Sequence, residues 1–463
     1  MKRILFGLMA LCAVLTTGCA GRTDGNYKIK DGVIVFNEPK PAAGQEDMLQ
    51  FAAEPLDTVR VGFIGLGMRG EDAVSRFTYI DGARVAALCD LEQDRVDKSQ
   101  KILTDKGLPA AAEYVGADSW KQLCERDDIN LVYICTNWQT HVEMAVYAMR
   151  HGKNVAVEVP AATSVAECWA LVDASEQTRK HCMMLENCVY DFFELTSLNM
   201  AQNGLFGEVV HTEGAYIHNL APYWNEYYDN WRLSFNQAHS GDVYATHGLG
   251  PDCQVLNIHR GDRMDYLVSM ATDSFVGKEI AKEKMGVDTF ANGDQTSTMI
   301  HTALGKTILI EHNVYTPRPY DRMYQVVGTK GYAEKYPYPG FAFEPEQVSG
   351  DVTGYDNLSS HSFVPDSVRD ALLEKYRHPI VKDIEEKARE VGGHGGMDFV
   401  MDYRLVWCLR NGKPLDMDVY DAAEWSCIGE LTAASIANGS KPVRMPDFTR
   451  GRWRKVNGYS HAR

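Results

Sequence analysis

Residues 60–90, RVGFIGLGMRGEDAVSRFTYIDGARVAALCD, leave this chain few folds to choose from. An apolar run, Val61 to Ile64, enters a Gly65-x-Gly67-x-x-Gly70 turn; a helical stretch follows, and a second apolar run, Val85 to Leu88, ends on Asp90. Strand, glycine turn, helix and strand in that order open a doubly wound parallel sheet. Each part has a physical job if a dinucleotide is bound. Gly65 allows the tight turn, Gly67 lets the backbone approach the pyrophosphate, and Gly70 allows close helix–strand packing. The helix N-terminus faces the phosphates, and Asp90 can accept hydrogen bonds from the adenosine ribose. An acid about 20 residues beyond the glycines is what lifts this fingerprint above a chance GxGxxG. Asp90 also favours NAD over NADP, because a 2′-phosphate there would meet a like charge.

The same alternation continues downstream. Strand-like runs at Val59–Ile64, Val85–Leu88, Leu131–Cys135, Asn154–Val157 and Cys182–Glu186 are separated by helical stretches, among them 141–150 and Val165–Lys180. This implies an α/β Rossmann domain over 58–186. Beyond it, Val209–Ile217, Tyr266–Ala271, Gln295–His301 and Lys306–Asn313 alternate apolar and polar residues, as one-sided antiparallel sheets do. Residues 187–463 therefore read as an α+β open-sheet domain for the substrate. Helices are expected at Met397–Arg410 and Ala422–Asn438, after a loop-rich stretch near 335–395. Aromatic residues crowd Tyr216–Phe235, which suits a core or a dimer surface, with one or two rings free to stack on a sugar.

The first residues speak to location. Lys2 and Arg3 precede an apolar stretch, Ile4 to Leu15, too short to remain as a membrane span, which runs into Thr16-Thr17-Gly18-Cys19. Residues 1–19 read as a secretory signal whose end resembles a bacterial lipobox, with Cys19 as the lipidated first residue of an exported, membrane-anchored protein. An ordinary cleaved signal is the alternative. Residues 20–57, polar and without sustained period, read as a tether and an arm. The net charge of −16 argues against nucleic acid as a partner. Nine cysteines outside the signal show no CxxC or Cys/His ligand spacing, so neither a disulfide framework nor a metal site is expected.

In doubly wound sheets the ligand lies at the carboxyl ends of the strands. Three polar segments follow such ends: Thr136-Asn137-Trp138-Gln139-Thr140-His141, Glu158-Val159-Pro160 and Glu186-Asn187. They carry a resemblance to the glucose–fructose oxidoreductase and inositol dehydrogenase superfamily, covering nearly the whole chain after Thr58. That superfamily uses a Glu-Lys-Pro motif whose lysine assists hydride transfer, and here Val159 replaces the lysine. Ordinary members also carry an acid and a histidine flanking the glycine that corresponds to Gly248; this chain has Thr246 and Gly250 there, with His247 between. Both departures, with GLGMRG, NWQTH, EVPAA, YATHGLGP, PRPY and GGHGGMDF, resemble glycoside hydrolase family 109, the NAD-dependent α-N-acetylgalactosaminidases.

The resemblance implies cofactor contacts at Gly65, Gly67, Met68, Arg69, Gly70, Asp90, Asn137, Trp138, Gln139, Thr140, His141, Glu158, Val159, Asn187 and Tyr244. It implies substrate contacts at Tyr216, Arg232, Tyr244, Ala245, Thr246, His247 and Tyr320. It also implies a redox-neutral cycle: oxidation at the sugar C3, elimination across C2–C1, addition of water and reduction by the same cofactor. Such a cycle suits an exported protein, which has no surrounding NAD pool. Proton transfer needs groups that titrate near neutrality, so Tyr244 and His247, three apart, are assigned jointly to acid/base work. His394, between paired glycines, is left outside the site. The expected substrates are terminal N-acetylgalactosaminyl glycans, and a homo-oligomer is open. Rival readings are an NAD-dependent sugar dehydrogenase and an inert glycan-binding lipoprotein that keeps NAD as a structural part.

Overall fold

The structure, a computed structural model, describes residues 26–350 and 359–462. The signal segment with Cys19 lies outside the described residues.

Six strands, β3 (Val59–Ile64), β4 (Ala83–Asp90), β5 (Ala112–Val115), β6 (Leu131–Ile134), β7 (Asn154–Val157) and β8 (Cys182–Met184), form one sheet in the order β5-β4-β3-β6-β7-β8. Every pairing in it is parallel. β6, β7 and β8 are buried at every position, as strands covered by helices on both faces must be. The order reverses direction between β3 and β6, so the crevice a ligand would enter opens at their carboxyl ends.

A second, ten-stranded sheet adds β1 (Tyr27–Lys30), β2 (Val33–Phe36), β9 (Val209–Ile217), β10 (Met264–Ala271), β11 (Thr296–Thr302), β12 (Thr307–Asn313), β13 (Asp321–Gly328), β14 (Gly331–Glu334), β15 (Gly340–Phe343) and β16 (Val443–Arg444). Its pairings are antiparallel apart from β12 with β9 and β16 with β2. Burial alternates residue by residue along β11 and β12, the mark of a sheet covered on one face. The helix Thr246–Val255 packs on that covered face. A Cβ on Gly248 would stand 2.3 Å from the Ala215 nitrogen, and one on Gly214 would stand 2.5 Å from the Gly248 oxygen. Two glycines face to face thus bring this helix against β9, and His247 with it.

Several expectations need correction. Residues 27–36, read as part of an arm, form a hairpin that extends the large sheet through β16. β5 was not anticipated because AEYV is a half-exposed edge strand with no apolar run. The stretch 335–395 holds β15 and the helices Asp366–Lys375 and Glu385–Val391. The single helix expected over Ala422–Asn438 is two, Val419–Ser426 and Ile428–Ala437, meeting at Cys427. Asp418 starts the first of them with a reciprocal capping box to Asp421, a local signal stronger than the apolar period.

The helix Met397–Asn411 returns from the second half of the chain to the parallel sheet. Asp402 on it accepts from Arg76 Nε at 2.7 Å and from the Tyr133 hydroxyl at 2.8 Å, all three buried. A buried carboxylate satisfied by Arg76 from the helix Met68–Phe77 and by Tyr133 from β6 ties the two parts of the chain together.

Candidate active site

A cleft of about 410 Å³ runs along the carboxyl ends of β3, β4, β6 and β7. Gly65, Gly67, Met68, Arg69, Asp90, Asn137, Trp138, Thr140, His141, Glu158 and Val159 line it, and the large-sheet domain contributes Arg232 and Tyr244. The glycine turn has the geometry the sequence demands. Gly65 sits at φ +87°, and a Cβ on Gly70 would fall 1.9 Å from the Gly65 oxygen. A Cβ on Gly67 would meet nothing nearer than Arg95 Nη1 at 3.5 Å, so this backbone faces open space. The Leu66 N–H donates to Asp90 Oδ2 at 2.6 Å and the Glu92 N–H to Oδ1 at 3.1 Å, which fixes the carboxylate at the nucleoside end. Glycine backbone, helix N-terminus and held acid together fit a dinucleotide.

Gln139 and Asn187 lie outside the cleft lining, and His141 lines it from a buried position. Gln139 is exposed. His141 is fully buried, its Nδ1 2.9 Å from the Pro160 carbonyl and its Nε2 3.1 Å from that of Thr136. It works as a strut between the loops after β6 and β7, and burial keeps its pKa below the ordinary value. Asn187 lies behind the cleft and donates to Asp398 Oδ1 at 2.5 Å. Asp398 also takes Arg69 Nη1 at 2.9 Å and His394 Nδ1 at 2.9 Å. Arg69 completes the chain with Glu158 at 3.0 Å. Asp398 was not anticipated; its only signal was its place in the GGHGGMDF run.

A corner opens off this cleft. Tyr244 stacks on Trp138 with ring centres 5.5 Å apart, and His247 meets Tyr244 edge-on at 4.9 Å. Tyr216, from β9, lies 4.6 Å from Tyr244 and 5.3 Å from His247. His218 links this group outward to the half-exposed Tyr320 at 5.2 Å. Ala245 and Thr246 are buried at the start of the helix that carries His247. The buried Arg232 guanidinium sits 4.4 Å above the Tyr244 ring and donates to the Tyr227 hydroxyl at 2.6 Å. Its Nε has no partner, and it makes no ion pair with a carboxylate among the described residues. A desolvated cation left with a free donor is ready for a polar substrate group.

The sequence placed Glu186 at a strand end, in one of the three polar segments of the ligand edge, and the structure sets it against His247. Its carboxylate is fully buried and 2.7 Å from His247 Nδ1, and it also accepts from the Cys188 N–H at 3.0 Å. Burial works to raise this carboxyl, but the facing His247 and the hydrogen bonds hold it below its ordinary value. A carboxylate only accepts, so Nδ1 carries the proton and Nε2 is left to receive one. Tyr244 behaves oppositely. Burial pushes its phenol well above the ordinary value despite Arg232, so it stays protonated and donates. Glu186, Cys188 and His247 lie close enough to suggest a cation site, but Arg322 Nη1 is 3.2 Å from the Cys188 sulfur and sets a positive charge against one.

Residues 59–186 match the family described as "Oxidoreductase family, NAD-binding Rossmann fold", and residues 190–455 match "Glycosyl hydrolase 109, C-terminal domain". "Glycosyl hydrolase family 109 protein 1" of Bacteroides thetaiotaomicron is 59% identical over 466 residues, covering 100% of this chain and 99% of its own length. "Glycosyl hydrolase family 109 protein" of Porphyromonas gingivalis is 59% identical over 433 residues, 93% of this chain and 92% of its own. Among solved structures, levoglucosan dehydrogenase in complex with NADH superposes with a TM-score of 0.63 at 17% identity, over 84% of this chain and 100% of that one. An oxidoreductase domain protein from Kribbella flavida gives 0.64 at 18%, over 85% and 100%. At such identities these two show a shared fold.

Proposed function

The chain belongs to glycoside hydrolase family 109, and from that premise we propose that it is an NAD-dependent α-N-acetylgalactosaminidase acting on terminal N-acetylgalactosaminyl glycans. The observation that carries the reading is the catalytic corner itself: Tyr244 lines the dinucleotide cleft and His247 lies against it, so cofactor and proton-transfer groups address one space. When bound, NAD would supply reversible hydride transfer at the sugar C3, with the hydroxyl proton passing to solvent, and the resulting ketone would acidify the C2 proton so that the C1 substituent leaves by elimination before water adds. His247 Nε2, freed by the Glu186 bond at Nδ1, takes the C2 proton. Tyr244, held protonated, donates to an oxygen of the sugar, and the Arg232 Nε offers a further donor to the ring or its acetamido carbonyl. Trp138 and Tyr216 wall the space on either side of the Tyr244 ring.

Two carboxylates flanking the bond, the usual glycosidase device, do not describe this corner. Glu186 is held by His247, and Glu158 by Arg69. The rival dehydrogenase reading meets an apolar Val159, buried, where its lysine would stand. Retaining the cofactor through each turnover suits an exported protein anchored through Cys19, which is the location proposed. No helix among the described residues is long and apolar enough to cross a membrane.

The test is hydrolysis of p-nitrophenyl α-N-acetylgalactosaminide in D₂O with no added NAD. Released sugar is expected to carry deuterium at C2. Turnover with the C2 hydrogen retained would sink the elimination route, and no turnover would sink the glycosidase reading.

A further inference from the structure

Clefts at the carboxyl edge of a doubly wound sheet open outward, and a dinucleotide in them leaves by the mouth it entered. In this chain that mouth is crossed. After β9 the polypeptide runs over the cleft before entering the helix Trp231–Ala238, and Glu226, Tyr227, Tyr228 and Trp231 line the same space as Gly67 and Asp90. The crossing is fastened at Tyr227, Tyr228 and Trp231. At the nucleoside end the Tyr228 hydroxyl donates to Glu92 at 3.3 Å, and its ring lies 5.1 Å from the Arg95 guanidinium, which is itself 3.7 Å from Asp90. On either side of Tyr228, Trp231 meets Trp138 edge-on at 5.1 Å and the Tyr227 hydroxyl accepts from Arg232.

The fastenings differ in kind. Trp138 and Arg232 are buried, whereas Tyr228 is 46% exposed and its contacts lie at the surface. Between Tyr228 and Trp231, Asp229 and Asn230 both adopt φ near +50°, a left-handed pair that Asp and Asn tolerate and that bends the chain sharply. Tyr227 and Trp231 are anchored on buried partners, and Tyr228 between them is a light latch.

We propose that Tyr228, with Glu92 and Arg95, forms a second part of the dinucleotide site, contributed across domains, which closes the cleft and keeps the cofactor bound between turnovers. This rests on the reading that NAD is retained, and it assigns the retention to a strap rather than to the glycine turn alone. Glu92 precedes and Arg95 stands on the helix Gln93–Asp105 that follows Asp90, so the latch covers the adenosine half and leaves the nicotinamide half to the catalytic corner.

The experiment uses the full chain purified with its nucleotide. Wild type, Tyr228→Ala, Tyr228→Phe and Glu92→Gln are dialysed exhaustively, denatured, and the released nucleotide is identified and counted against protein. Wild type is expected to keep NAD, not NADP. Tyr228→Ala is expected to lose it on the order of tenfold faster, with circular dichroism unchanged after loss and turnover restored by added NAD. Tyr228→Phe and Glu92→Gln should fall between. Equal retention by wild type and Tyr228→Ala would overturn the strap while leaving the glycosidase reading standing. Wild type without NAD would overturn the reading on which the strap rests.

Discussion

The dinucleotide cleft and the catalytic corner share a wall at Trp138 and Tyr244, yet they are built from different material. The cleft is made by backbone. One continuous run supplies the glycine turn, the helix N-terminus and Asp90, and what matters is where atoms are missing. The corner is made by side chains that arrive from distant parts of the chain: Glu186, Tyr216, Arg232, Tyr244 with His247, and Tyr320. A backbone site is sensitive to one added methyl group. A side-chain site is sensitive to losing the one atom that does chemistry, while its walls can be largely kept.

The largest effect expected from that difference is at His247. His247→Ala should lower turnover by about 10²–10⁴-fold, the usual contribution of a positioned proton-transfer group, while NAD stays bound. It also strips the buried Glu186 of its partner, which costs about 1–3 kcal/mol and should lower the thermal midpoint. His247→Gln, which keeps a donor for Glu186, should be as inactive and more stable. If His247→Ala lost NAD along with activity, the two regions would not be separable as described.

Glu186→Gln should do less. The neutral amide can give or take a hydrogen bond, so the imidazole is no longer held in one tautomer. We expect kcat to fall at least about tenfold with little change in KM, since the side chain acts through His247 and not on substrate. The wild-type pair has a defined acid limit. Glu186 is held below its ordinary 4.5, so its stabilising contribution is present above that value and is lost as pH falls through the depressed one. Acid unfolding monitored by tryptophan fluorescence should show a component below pH 4.5 in wild type that is missing in Glu186→Gln.

The same division explains what could be read from the chain beforehand. β3, β7, β9 and the helix at 141–150 were legible to the residue, β3 and β7 because buried parallel strands are largely continuous apolar runs. β5, β15 and the hairpin at 27–36 were not: AEYV carries little apolar signal, and GFAF and VIVF are four-residue runs that become strands only through pairing with their neighbours. Around the cleft, spacing alone pointed to Gly65, Gly67, Gly70 and Asp90. Around the corner, spacing brought Tyr244 and His247 together, but Glu186 lies 61 positions from His247 and Asp398 lies 211 from Asn187. No local pattern reports such pairs. The family resemblance supplied Tyr216, Arg232 and Tyr320, and only folding shows that Arg232 is caged by the tyrosines and that the strap crosses the cleft.

The finest test of the comparison lies within the glycine turn, where one methyl group should have two unlike effects. At Gly70 a Cβ would overlap the Gly65 oxygen at 1.9 Å, and backbone cannot yield cheaply. Gly70→Ala should therefore destabilise the fold by about 1–3 kcal/mol, visible in thermal melts without any ligand. At Gly67 the backbone has φ −71°, which alanine adopts freely, and the nearest atom to a Cβ is the flexible Arg95 end at 3.5 Å. Gly67→Ala should leave the nucleotide-free fold within about 0.5 kcal/mol of wild type. Its methyl group would nevertheless stand where the pyrophosphate must approach, so affinity for NAD should drop on the order of tenfold. Calorimetric titration of NAD into stripped protein measures this, with the melt of the same sample as control. Unchanged affinity in Gly67→Ala would mean that side chains, not bare backbone, hold the phosphates, and the contrast between the two regions would fail at its most local point.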